Sequence, residues 1–271
     1  MGVALVNLVW RRLAVVPAVF QWSWWTLKPH YQIGTIPDAA WMLRERLELP
    51  ALGSIDANDF TELAGLEDEL LRANIIDDVL RTYERGNAQN LIALCYLQLC
   101  LDSSVHRWEN AGSDGVELNA TQSTGQRADA NFGAIPELPR LDSLPEEMQM
   151  LVARTSAHWV PSEYSGLTPS VFRHLSHWPD LLRLFNNRLE AVERNSDQNI
   201  QPTADKALDL AQRCAWQLGE NGKDGEVMQE LNQTDRQWLQ EVLDVFIHGM
   251  LARGVVIVPA LRSLLTSDKN S

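Results

Sequence analysis

A chain of 271 residues with 45% hydrophobic composition has enough apolar material for one large core or two ordinary ones, which excludes a disordered polypeptide. Its formal charge of −13 repels phosphate backbones and anionic surfaces at long range, so neither nucleic acid nor a membrane is an expected partner. A small anionic substrate stays compatible with that charge, because helix N-termini and Arg side chains overcome a net field inside one pocket.

The N-terminal apolar run is broken by Arg11 and Arg12, well short of the roughly 20 residues that cross a bilayer, and is expected to be a buried helix. Neither the leading charges nor the small-residue cleavage site of a signal peptide is present, and Val6 stands where myristoylation needs Ser or Thr. Trp22, Trp24 and Trp25 follow and read as core or interface anchors. Apolar residues then recur at three- and four-residue spacing along most of the chain, with almost no period-2 pattern, so the expected class is all-α.

The acidic run Glu67-Asp68-Glu69 reads as a solvated helix face. Beyond it, Ile75, Ile76, Val79, Leu80 and Tyr83 make one apolar face, and Gly86 is expected to close that helix as a C-cap, with Arg81 and Arg85 in its last turn. Asn87 would then follow the cap, where its tolerance of turn geometry suits it, and open a second apolar helix. Cys95, Cys100 and Cys214 leave one thiol unpaired in any disulfide scheme and lack Cys-x-x-Cys spacing, which fits a reduced cytoplasm.

From residue 102 to 141 the pattern breaks on Gly112, Gly115, Gly125, Gly133, Pro136 and Pro139, and this stretch reads as a linker. Ser143 and Glu146 give a capping-box signature around Pro145, and Pro161 is expected to stop the helix that follows. Thr168-Pro169 signals another start, with Pro at the first helical position and the Ser170 hydroxyl available to the capping network. The tail after Leu265 is short, polar and expected to fray. No Gly-rich phosphate loop, nucleophile elbow or nicotinamide fingerprint occurs.

An internal repeat organises these elements. Trp10-Arg11-Arg12-Leu13 with Pro17 matches Phe172-Arg173-His174-Leu175 with Pro179, an offset of 162 from position 10 to position 172. Val79-Leu80 with Tyr83 and Gly86 matches Val242-Leu243 with Phe246 and Gly249, an offset of 163 from position 79 to position 242. The expected architecture is a pseudo-dimer of two homologous helical repeats, 1–101 and 142–271, joined by the linker at 102–141. A pocket between such repeats is a natural ligand site.

With this repeat, the Trp-rich helix after Pro17, Gly86-Asn87 and the segment from Phe172 to His177-Trp178-Pro179, the chain resembles the group I (D,L-)2-haloacid dehalogenases along nearly its whole length. The match begins inside the first repeat, so a leading helix of that family is expected to be missing. The resemblance implies hydrolysis of the carbon–halogen bond of a small 2-halocarboxylic acid by direct water attack. An Asp acts there as general base beside an Asn, with no covalent intermediate, cofactor or metal. Carried over, the Asn falls on Asn87 and the family's Ser-Asp-Phe on Ser170-Val171-Phe172, so Val171 stands at the position of the base. Two aromatic pocket residues fall near Leu5 and Leu8, and a Tyr falls on Asn90. The implied site is thus Asn87, Ser170 and Val171 at the catalytic positions, with Leu5, Leu8, Asn90 and Phe172 around the substrate.

Valine cannot take a proton from water, a step that typically contributes 10² to 10⁴ in rate. Glu163, His174 and Asp180 are the nearby candidates for a substitute base, each with an ordinary structural explanation as well. His174 and His177, three apart, would need His158 or Glu163 to complete a metal site, a less favoured reading. Three functions stay open: a hydrolase, a binding module that has lost the base, and a structural helical protein compatible with a homo-oligomer.

Overall fold

The computed structural model describes residues 7–52, 69–102, 135–194, 200–221 and 230–266, and every regular element among them is helical. Leu5, Glu67-Asp68, most of the expected linker and the polar tail lie outside the described residues. The helices are α1 (Leu8–Leu13), α2 (Pro17–Ile33), α3 (Thr35–Glu45), α4 (Glu69–Leu101), α5 (Glu146–Ala157), α6 (Ser170–Leu175), α7 (Pro179–Arg194), α8 (Ile200–Asn221), α9 (Gln233–Phe246) and α10 (Ala252–Thr266). A π-turn at Ile247–Leu251 joins α9 to α10.

Local chemistry sets several boundaries. Pro17 opens α2 where its missing N–H costs nothing, and Gly34, at φ 89°, ends it in the left-handed conformation from which α3 starts. Asn232 caps α9 by accepting a hydrogen bond from the Asp235 N–H at 2.8 Å. Together α9, the π-turn and α10 are long and apolar enough to cross a bilayer by length and composition alone, but 72% of the apolar window is buried inside the protein, as in a core helix.

The chain forms two compact units. The first comprises residues 1–47, 85–130 and 205–252, and the second residues 48–84, 131–204 and 253–271. In the first, Leu13, Leu27, Leu43, Leu94 and Leu243 are fully buried or nearly so. In the second, Leu80, Val152, Phe172, Phe185 and Val256 play that part.

Four expectations change. Gly86 does not cap a helix: α4 runs through it, and Gly34 and Gly166 are the glycines with positive φ among the described residues. A Cβ on Gly86 would fall 2.7 Å from Nδ2 of Asn7, so the glycine makes room for a close approach instead of a turn. Arg81 and Arg85 are therefore mid-helix, and Arg81 pairs with Asp78 at 3.7 Å. The capping box at Ser143 does not form, because Pro145 occupies the N-cap of α5 and the Ser143 hydroxyl donates to the Arg140 carbonyl at 2.7 Å. Pro169 is likewise the N-cap of α6 and not its first helical residue. Of the core or interface roles expected for the tryptophans after Pro17, the core one does not hold: Trp22 and Trp24 are half-buried and Trp25 is 50% exposed.

Candidate functional site in the buried polar stretch of α4

The middle of α4 departs from the apolar pattern around it. Thr82, Glu84, Asn87, Gln89 and Asn90 are all buried within nine residues of one helix. Buried polar groups cost free energy unless they are hydrogen-bonded, so each needs a partner or a purpose.

In the second unit the groups are well matched. Tyr83 Oη lies 2.7 Å from Nδ1 of His174, and Nε2 of His174 lies 3.0 Å from the Pro136 carbonyl oxygen. A carbonyl only accepts, so Nε2 carries the hydrogen, Nδ1 accepts, and the Tyr83 hydroxyl donates to it. Burial pushes the His174 pKa down to about 4, partly opposed by the Pro136 bond, so the ring is neutral at pH 7. Glu84 accepts from Arg262 at 3.0 Å, and the same guanidinium donates to Asp77 at 2.7 Å. Thr82 returns its hydroxyl to the Asp78 carbonyl at 2.8 Å.

The same unit holds the α6 positions carried over from the dehalogenase pattern. Val171 is 1% exposed and Phe172 0%, the latter meeting the Trp159 ring edge-on at a centroid distance of 5.5 Å. Ser170 is half-buried at the first position of α6. The candidate substitute bases are otherwise engaged. His174 uses both ring nitrogens, Asp180 accepts from Arg183 at 2.7 Å, and Glu163 is exposed on a 3₁₀ turn with the Ser162 hydroxyl 3.4 Å away.

The metal reading meets the same difficulty. His177 Nε2 bonds the Glu137 carbonyl at 3.0 Å, and His158 Nδ1 pairs with Glu193 at 2.6 Å. Among the described residues no cluster of three His, Cys, Asp or Glu side chains is placed to hold a metal ion.

In the first unit the α4 stretch leaves the Asn90 amide nitrogen open among the described residues. The Trp10 indole Nε1 donates to Asn90 Oδ1 at 2.9 Å, a buried bond spanning 80 positions of sequence. An indole N–H can only donate, which fixes the amide orientation: Oδ1 faces Trp10 and Nδ2 points elsewhere. Asn90 is 3% exposed, and its Nδ2 has no hydrogen-bond partner among the described residues. A buried donor in that condition costs about 1–3 kcal/mol.

Asn87, 7% exposed, stands one turn earlier on the same side of α4, and Asn7 lies against Gly86 beside it. Asn87 and Asn90 thus share a helix face within one unit, while Ser170, Val171 and Phe172 belong to the other. Leu8, expected near the substrate, is 40% exposed. The Trp10 to Asn90 bond was not expected from sequence, and no local pattern announces a contact at such separation. No protein-family model matches the sequence, and no curated protein matches it either.

Proposed function

We propose that this protein binds a small 2-substituted carboxylic acid on a scaffold like that of the 2-haloacid dehalogenases, without the carboxylate that would activate water. The observation that carries the reading is the buried, unfilled Nδ2 donor of Asn90, beside the Asn87 that matches the family's Asn. A carboxylate or carbonyl oxygen of a ligand would relieve the cost of that donor.

The two-repeat scaffold has support beyond the sequence offsets. The first Val-Leu…Tyr…Gly block lies on α4, and the second lies on the run of α9, the π-turn and α10. Each contributes its earlier part to one unit and its later part to the other, as two copies of one element would. The proposal includes no cofactor and a cytoplasmic setting, in keeping with three free thiols.

Hydrolysis of a carbon–halogen bond is the second reading, favoured by Asn87 and the repeat but in need of a base. Val171 cannot be one, and a neutral His174 with both nitrogens occupied is a poor one. Titration with each enantiomer of 2-chloropropionate, with free halide measured in the same samples, separates the two. Binding without halide release is the expected result; catalytic halide release would establish the hydrolase.

A further inference from the structure

We infer that the outer face of α2 is a docking surface for an anionic lipid bilayer. Both sides of the helix carry apolar residues, with Gln21 and Gln32 as exposed polar positions. Val19, Leu27 and the small polar side chains of Ser23 and Thr26 turn inward, whereas Ala18, Trp22, Trp25, Pro29 and Ile33 recur at four-, three-, four- and four-residue spacing along the outward side. Trp25 is 50% exposed and Ile33 64%, and the adjoining corner before α2 adds Val15 at 66%. No exposed position of α2 carries a charge.

Ordinary helix packing does not call for this. The sequence repeat pairs α2 with α7, which buries Leu181, Leu182, Phe185 and Leu189 and exposes Asp180, Arg183, Asn187, Glu193 and Arg194. That is the usual division of a surface helix, and α2 lacks it. An exposed apolar stripe of this extent marks an interaction surface.

Charge selects the partner. Residues 1–37 contain Arg11, Arg12 and Lys28 but no Asp or Glu, in a chain whose net formal charge is −13. Lys28 sits on its flank with Nζ 4.5 Å from the Trp25 ring centroid, and the exposed Arg11 and Arg12 precede the stripe on α1, with the Arg12 guanidinium 5.4 Å from the Trp238 ring centroid. Two copies meeting through this face would bring like charges together. An anionic bilayer instead attracts the cations, accepts indole rings at the headgroup level and buries the aliphatic groups beside them. The net negative field acts against this at long range, so contact would need the α2 face, whose own residues include Lys28 and no Asp or Glu, turned to the lipid.

The test is co-sedimentation of the full chain with vesicles of phosphatidylcholine and phosphatidylglycerol, and with phosphatidylcholine alone. Binding to the mixed vesicles, weakened by salt, is expected. Trp25→Gln with Ile33→Gln should lower the partition coefficient roughly tenfold or more, since both side chains would leave the interface. Arg183→Gln with Arg194→Gln on α7 should leave it unchanged. No binding to the mixed vesicles, or binding indifferent to the α2 pair, would overturn the inference. So would a lipid-free dimer that the α2 pair dissociates, which would make the face a contact between copies.

Discussion

Tyr83 and Asn90 stand two turns apart on α4, and each is hydrogen-bonded to a side chain from one of the two matched short helices. In the second unit the pair is closed: Tyr83 donates to His174, which passes its own N–H to the Pro136 carbonyl. In the first unit it is open, because Trp10 occupies the Asn90 oxygen and leaves the amide N–H groups without an acceptor among the described residues. A closed chain of donors and acceptors fixes a structure, and an open one offers a place for a ligand. The contrast directs the search for binding to Asn90 and treats His174 as structural.

The sharpest way to stress the closed side is Phe172→Ala. Its ring is fully buried against Trp159, and its loss should destabilise the protein by about 3–5 kcal/mol, read from urea unfolding. Removing His174 by substitution with Ala should cost about 1–3 kcal/mol through the lost buried bonds, with ligand binding retained by the folded fraction.

His174 also predicts a pH dependence. Its folded pKa of about 4 lies below the ordinary 6.5, so between those values the unfolded chain binds the proton more readily. Stability is therefore complete above about pH 6.5 and falls as the pH drops toward 4. His174→Gln, which keeps a donor and an acceptor but does not titrate, should flatten this part of the profile. An unchanged slope would remove His174 as its cause.

The smallest expected effect is that of Gly86→Ala. Helix propensity favours Ala by about 1 kcal/mol, but its Cβ would meet Asn7 Nδ2 at 2.7 Å and force that side chain to turn. The two effects oppose, so a net change below about 1 kcal/mol is expected from thermal unfolding. A loss several times larger would mean that Asn7 cannot move, tying the start of α1 more rigidly to α4.

The helical class was legible because periodicity records which side of each helix is buried, and Pro17 opened α2 as its chemistry requires. Gly86 misled because the local cue for a C-cap is the same residue that serves close packing, and only the position of Asn7 distinguishes them. Ser143 had the right partner three residues on, yet Pro145 between them took the cap position. At the candidate site, the sequence singled out Asn87 and Asn90, but which atom of Asn90 is free depends on Trp10, 80 positions away. The outward stripe of α2 was readable as spacing, whereas its exposure was not.

The most direct test of the central claim compares the parent protein with Asn90→Leu in thermal unfolding, with and without each enantiomer of 2-chloropropionate. Leu removes the unfilled donor but also the acceptor for Trp10, so the variant is compared with its own ligand-free midpoint. The parent's midpoint should rise with ligand concentration, as for any ligand that binds the folded state preferentially, while that of the variant stays fixed. An equal rise in both proteins, or none in the parent, would contradict the assignment of Asn90 as the ligand's hydrogen-bond donor.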